Sequence, residues 1–191
     1  MNTRLSASDQ EGSAPTVSRA SDATTVPVTL SEPSIIGLAL IRIFVGLLWF
    51  QQLSWKMPPT FQGAHIYLVK EAMYTILPGY SYIVQHVFLP NFIPLLATVW
   101  TAELIVALSL IFGIFTRFGA LLSVLLAFQL YIGLAFAPGE WYWTYGMLIL
   151  LSLIMAAIPA GRRLGFDQFL ATRLQAVANR SRIARALSWL A

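Results

Sequence analysis

The sequence predicts an all-α fold: a bundle of four transmembrane helices with cap helices at the outer interface and an amphipathic C-terminal helix on the cytoplasmic leaflet. Three observations carry this. Of 191 residues, 58% are hydrophobic and only 10% are charged, whereas soluble domains carry about 25% charged residues. Mean hydropathy is +0.71. The apolar residues fall into four runs, about 35–55, 92–115, 118–137 and 141–160. Each is close to the ~20 residues that cross ~30 Å of hydrocarbon at ~1.5 Å per residue.

Residues 1–31 are rich in Ser, Thr, Ala and Pro and poor in apolar side chains. Such a segment cannot bury enough surface to offset its ordering entropy, so a disordered cytoplasmic tail is expected. It also lacks the apolar core of a secretory signal peptide. Residues 32–163 then form the four-span membrane domain, and 164–191 the surface helix.

Orientation follows from the arginines. Arg117 sits in the tight turn between the second and third runs, and Arg162, Arg163, Arg173, Arg180, Arg182 and Arg185 face a single acid, Asp167, near the C-terminus. A basic cluster beside a span marks the cytoplasmic side of a membrane more often than a nucleic-acid surface, so no nucleic-acid partner is expected. Both termini are placed in the cytoplasm. The dense aromatics Trp141, Tyr142, Trp143 and Tyr145 then form a belt at the outer interface, with Trp49 and Trp55 doing the same near the end of the first span.

The 56–91 connection is too long and too apolar for a plain loop. Ile66, Val69, Met73, Ile76 and Leu77 recur at helical spacing, and Pro78-Gly79 signals a turn before a second segment containing Tyr80, Tyr82, Val84, Val87 and Phe88. Two short helices at the outer interface are expected. At the other end, Phe166, Phe169, Leu170, Leu174 and Val177 line one face of a helix with arginines on another. Anionic lipid would hold that helix at the membrane surface; its rival role is to dock a soluble partner.

The absence of cysteine excludes disulfides, iron–sulfur clusters, thiolate metal sites and covalently attached haem. His65 and His86 lie outside the apolar runs, which excludes a haem held by histidines within the bilayer. His65 reads as a polar face residue of the cap, and Met147 and Met155 as packing. No catalytic triad, paired carboxylates, phosphate loop or metal-ligand cluster is written in the sequence, so no metal site is expected.

Two ionisable residues do lie well inside spans: Arg42 in the first and Glu103 in the second. Each costs roughly 2.5–3.5 kcal/mol near a helix centre, so they should face inward and find partners. Their depths differ by less than about 10 Å on the rise per residue, and an interhelical pair between them is the simplest expectation. One reading is that the pair only locks helix register. The other is that it lines a polar pocket for a ligand head group and handles its protons. Gln51, Gln52, Trp55 and Lys56 would extend this polar track towards the outer face, and Gln129 adds an amide from the third span. Lys56 alone also fits a lysine snorkelling from a helix end.

In order, the chain has Arg42 and a Gly/Leu-rich run into Trp55-Lys56, then Glu103 with a Gly113-x-x-Thr116-Arg117 turn, then AGRRLGFDQFL after the fourth span. This order resembles the DoxX family. The ending Pro159-Ala160-Gly161-Arg162, with Gly165 and Asp167, is similar to the DoxD-like branch, which is associated with the membrane subunit of thiosulfate:quinone oxidoreductase. The resemblance covers about residues 35–170, and Arg42, Lys56, Glu103, Arg117 and Asp167 match the family's polar positions. It departs where Gln51-Gln52-Leu53-Ser54 replaces a glycine that commonly precedes the lysine.

The resemblance implies a multi-pass protein of a bacterial or archaeal cytoplasmic membrane. It also implies a quinone-linked oxidoreductase subunit, with reduced sulfur compounds oxidised in some members. Arg42 and Glu103 would then act on protons, Gln51, Gln52, Trp55, Lys56 and Gln129 would bind the quinone, and the sulfur-handling partner would be a separate chain. The alternative is a non-catalytic accessory subunit that anchors or stabilises a larger membrane complex. Membrane lipid and other protein subunits are expected partners in either case.

Overall fold

The computed structural model describes residues 32–158, 164–169 and 173. Among these the chain is helical throughout: α1 (Glu32–Leu53), α2 (Gln62–Tyr74), α3 (Pro78–Ile83), a π-helical turn (Val84–Phe88), α4 (Phe92–Phe112), α5 (Thr116–Leu134) and α6 (Tyr142–Ala157). The expected tail at 1–31 and most of the expected surface helix at 164–191 lie outside the described residues.

Among the described residues, three segments are long and apolar enough to cross a membrane: Ile35–Leu53, Phe92–Phe112 and Thr116–Leu134. The fourth expected span is shorter, because α6 has 16 residues and so extends only about 24 Å. Its end has a local cause. Ile158 is extended, at φ −103 and ψ 136, the conformation imposed on a residue that precedes a proline, here Pro159. The expected second and third spans also stop early, at Phe112 and Leu134. Gly113 takes a left-handed conformation, φ 66, that ends α4.

α1 packs along α4, α5 along α6, and α4 against α5, while α2 lies on α5. The core between them is Val45, Trp49, Val106, Ala107, Leu110, Ala120, Ala127 and Met155. It contains one polar seam: Trp49 Nε1 donates to Ser123 Oγ at 2.7 Å, and Ser123 Oγ meets Ser152 Oγ at 2.7 Å, tying α1, α5 and α6 together. The outward faces stay apolar, with Leu40, Phe44 and Leu47 on α1 and Leu121, Leu125 and Phe128 on α5 all exposed. Lipid is the medium in which such faces are stable.

Helices form in the 62–88 segment, and their buried face is not made by the residues at helical spacing. Ile66 and Met73 point outward, at 61% and 68% exposure, and the buried face of α2 is Ala64, Leu68, Glu71 and Ala72. Small residues let α2 lie close to α5. Pro78-Gly79 is not the turn; Pro78 opens α3, where its missing N–H costs nothing. The turn falls at Thr75–Leu77, pinned to α5 by Thr75 Oγ1 and Ile76 N–H, which both donate to the Ile132 carbonyl at 3.1 Å.

The expected Arg42–Glu103 pair does not form. Arg42 is fully buried, but it lies beside the Gly113 turn and donates from Nη2 to the Leu164 carbonyl at 2.7 Å, with Asp167 nearby. Asp167 in turn accepts from the backbone N–H groups of Phe115 (2.7 Å) and Thr116 (2.9 Å), so it caps α5 from a distant segment. The 164–169 segment is thus locked to the α4–α5 turn, with Asp167 N–H donating to the Gly113 carbonyl at 2.8 Å. Arg42 thus meets the Leu164 carbonyl directly and feels the charge of Asp167.

Candidate functional site

Beyond Leu53 the chain leaves α1 in a tight turn, where Ser54 donates to the Gln51 carbonyl through its N–H (3.3 Å) and its hydroxyl (2.8 Å). The turn swings Lys56 back against α4, where its Nζ donates to Glu103 Oε1 in an ion pair with both side chains buried. Depth arithmetic along a straight helix misses this, because Lys56 lies past the end of α1. The second oxygen of Glu103, Oε2, is enclosed and has no hydrogen-bond partner among the described residues.

A third buried acid, Glu71 of α2, stands nearby, and the charge of Lys56 reaches it. Its Oε2 accepts from Tyr80 Oη at 2.7 Å and from Gln129 Nε2 at 2.8 Å, and Gln129 Nε2 also donates to Tyr80 Oη at 2.7 Å. Burial pushes the Glu71 carboxyl above the usual carboxylate range, against the opposing pull of Tyr80, Gln129 and Lys56. The Tyr80 phenol is pushed up too, first by burial and then by the Glu71 charge, so it stays a neutral donor.

Space for Glu71 depends on Gly133 of α5. A Cβ there would lie 2.6 Å from Glu71 Cγ and 2.9 Å from Cδ. Gly133→Ala is therefore expected to push Glu71 out of its network and destabilise the protein by about 1–3 kcal/mol. Thermal unfolding in detergent measures this, and an unchanged midpoint would mean that Glu71 moves aside without loss.

Lys56, Glu71, Glu103 and Gln129 border a cavity of about 550 Å³ between α1, α2, α4, α5 and α6. Trp49, Trp55, Tyr67 and Trp143 supply aromatic walls. At the rim Lys70 faces Glu140 at 3.5 Å, and Tyr145 Oη donates to Glu140 Oε2 at 2.8 Å. Trp55 Nε1 donates to Gln52 Oε1 at 2.9 Å, and the Trp55 and Tyr67 rings lie 4.7 Å apart.

Of the residues expected at a site, Gln52, Trp55, Lys56, Glu103 and Gln129 all line this cavity. Gln51 does not line it and is exposed, and Arg42 stands at the Gly113 turn instead. Sequence reasoning missed Glu71 and Tyr80. A signal for Glu71 was present, because it is the only acid in the 56–91 connection.

No protein-family model, curated protein or solved structure matches this chain.

Proposed function

We propose that the chain is a membrane subunit of a quinone-linked oxidoreductase, of the DoxX/DoxD-like kind that the sequence resembles, and that its cavity holds the quinone ring. The observation that carries the reading is the Lys56–Glu103 pair, buried at the wall of an otherwise apolar and aromatic cavity. Small-molecule sites take this form: roughly 300–1,000 Å³, mostly apolar, with a few converging polar groups. The fit extends to single atoms. Glu103 Oε2 is an enclosed acceptor that lacks a donor among the described residues, and Lys56 keeps N–H groups beyond the one given to Glu103.

A bound quinone supplies two-electron redox chemistry. The chain's own residues do the rest: the aromatic walls orient the ring, Lys56 offers N–H to a ring oxygen, and Glu103 Oε2 accepts a proton or hydrogen bond there. In this reading α1, α4, α5 and α6 form a four-span bundle, α2 and α3 cap its outer side, and both termini are cytoplasmic. Reduced sulfur compounds are the electron source that the resemblance suggests, delivered through a separate subunit.

Two measurements test the reading. Titrating detergent-solubilised protein with a short-tailed quinone should quench tryptophan emission saturably, because Trp49, Trp55 and Trp143 line the cavity. A Lys56→Met/Glu103→Met variant should fold and bind at least tenfold more weakly; absence of saturable quenching in the parent protein would favour a purely structural accessory role. For orientation, an impermeant thiol reagent added from outside should label a cysteine at Gly139 and spare one at Phe169. The reverse pattern would invert the topology.

A further inference from the structure

The hydrogen-bond inventory around Glu71 leaves the cavity with an unusual second pole. Gln129 Nε2 donates towards both Glu71 Oε2 and Tyr80 Oη, and the Tyr80 hydroxyl donates to the same Glu71 Oε2. These bonds converge on one carboxylate oxygen. Glu71 Oε1 takes no hydrogen bond among the described residues, and Glu71 lines the cavity. As a carboxylate, this pole can only accept. As a carboxylic acid, its one O–H can donate.

We propose that Glu71 is the proton-dependent selector of this cavity, gripping a ring carbonyl when it is a carboxylic acid and a ring hydroxyl when it is a carboxylate. The proposal rests on the quinone reading above and adds to it which redox form is held and when. A quinone presents only acceptors and needs Glu71 protonated. A quinol presents two donors and suits the ionised form, with Glu103 Oε2 as the acceptor at the other end.

Other charged and titratable groups surround Glu71. Lys56 follows α1, Glu103 lies on α4, Tyr80 on α3, Tyr67 on α2, and Glu140 and Tyr145 at and after the α5–α6 turn. Lys56 is paired with Glu103 and Lys70 with Glu140. Burial holds the Glu71 carboxyl above the usual carboxylate range.

The test is anaerobic binding of a short-tailed quinone and its quinol from pH 5 to pH 9. With one linked proton, quinone affinity should fall by about tenfold per pH unit above the Glu71 midpoint, while quinol affinity holds. Glu71→Gln, whose amide donates at any pH, should bind quinone with no such slope. Tyr80→Phe removes a hydrogen bond that favours the carboxylate, so it should move the midpoint to higher pH, and it remains informative if Glu71→Gln does not fold. A slope that persists in Glu71→Gln, or a midpoint that Tyr80→Phe leaves unmoved, overturns the proposal while the quinone reading stands. Failure of the parent protein to bind either ring form overturns both.

Discussion

Replacing Glu103 with Gln should destabilise the protein by about 3–5 kcal/mol, because it strands the Lys56 ammonium in a site shielded from water. The reason is an asymmetry. Burying two charges is costly, and their attraction offsets that cost only while both are present. Lys56→Met alone should cost a similar amount by leaving Glu103 unpaired. The double Lys56→Met/Glu103→Met variant should recover most of the loss, since apolar side chains of similar volume fill the same space without desolvating a charge. Unfolding midpoints in detergent for the three variants decide the matter. A double variant as unstable as the sum of the singles would mean that the two residues do not act as a pair.

A second large effect is expected at the opposite end of the bundle. Asp167→Ala removes the acceptor for the Phe115 and Thr116 N–H groups and the carboxylate near Arg42. Each buried donor left without a partner costs about 1–3 kcal/mol, which places the loss at about 2–5 kcal/mol. Asp167→Asn should recover part of it, because its amide oxygen can still accept one of the two bonds. The site cannot be rescued from the facing turn: a Cβ at Gly113 would meet Arg42 Nη1 at 2.1 Å and Gly165 Cα at 2.7 Å, at a φ of 66 that favours glycine. Proteolysis of the 164–169 segment should accelerate in Asp167→Ala. Resistance equal to the parent protein's would show that the segment is held by other contacts.

Much of the helical layout is legible in the sequence because hydropathy is a local property. Runs of apolar residues mark the membrane-length helices, but hydropathy alone overran their ends at Gly113 and before Pro159. The partners of the buried charges are not local. Arg42 donates to a carbonyl 122 positions away, and no reading of helix depth can anticipate a distant segment folding back onto a turn. Glu103 is met by a lysine from a turn whose direction depends on Ser54 and the Gln51 carbonyl. The short helices of the 56–91 connection were readable in existence but not in the face they bury, because small residues and one acid, instead of the large apolar ones, pack against α5. Five of the seven residues expected at a site nevertheless converge on the cavity, since polar side chains at the ends and middles of apolar helices have few other places to go.

Photocrosslinking with an azido-substituted short-tailed quinone, followed by peptide mapping, tests the central claim most directly. The account predicts adducts at cavity residues, foremost Trp55, Lys56 and Tyr67, that excess unmodified quinone suppresses and that are lost in Lys56→Met/Glu103→Met. Adducts spread over the exposed faces of α1 and α5, indifferent to competitor and to the double substitution, would contradict it.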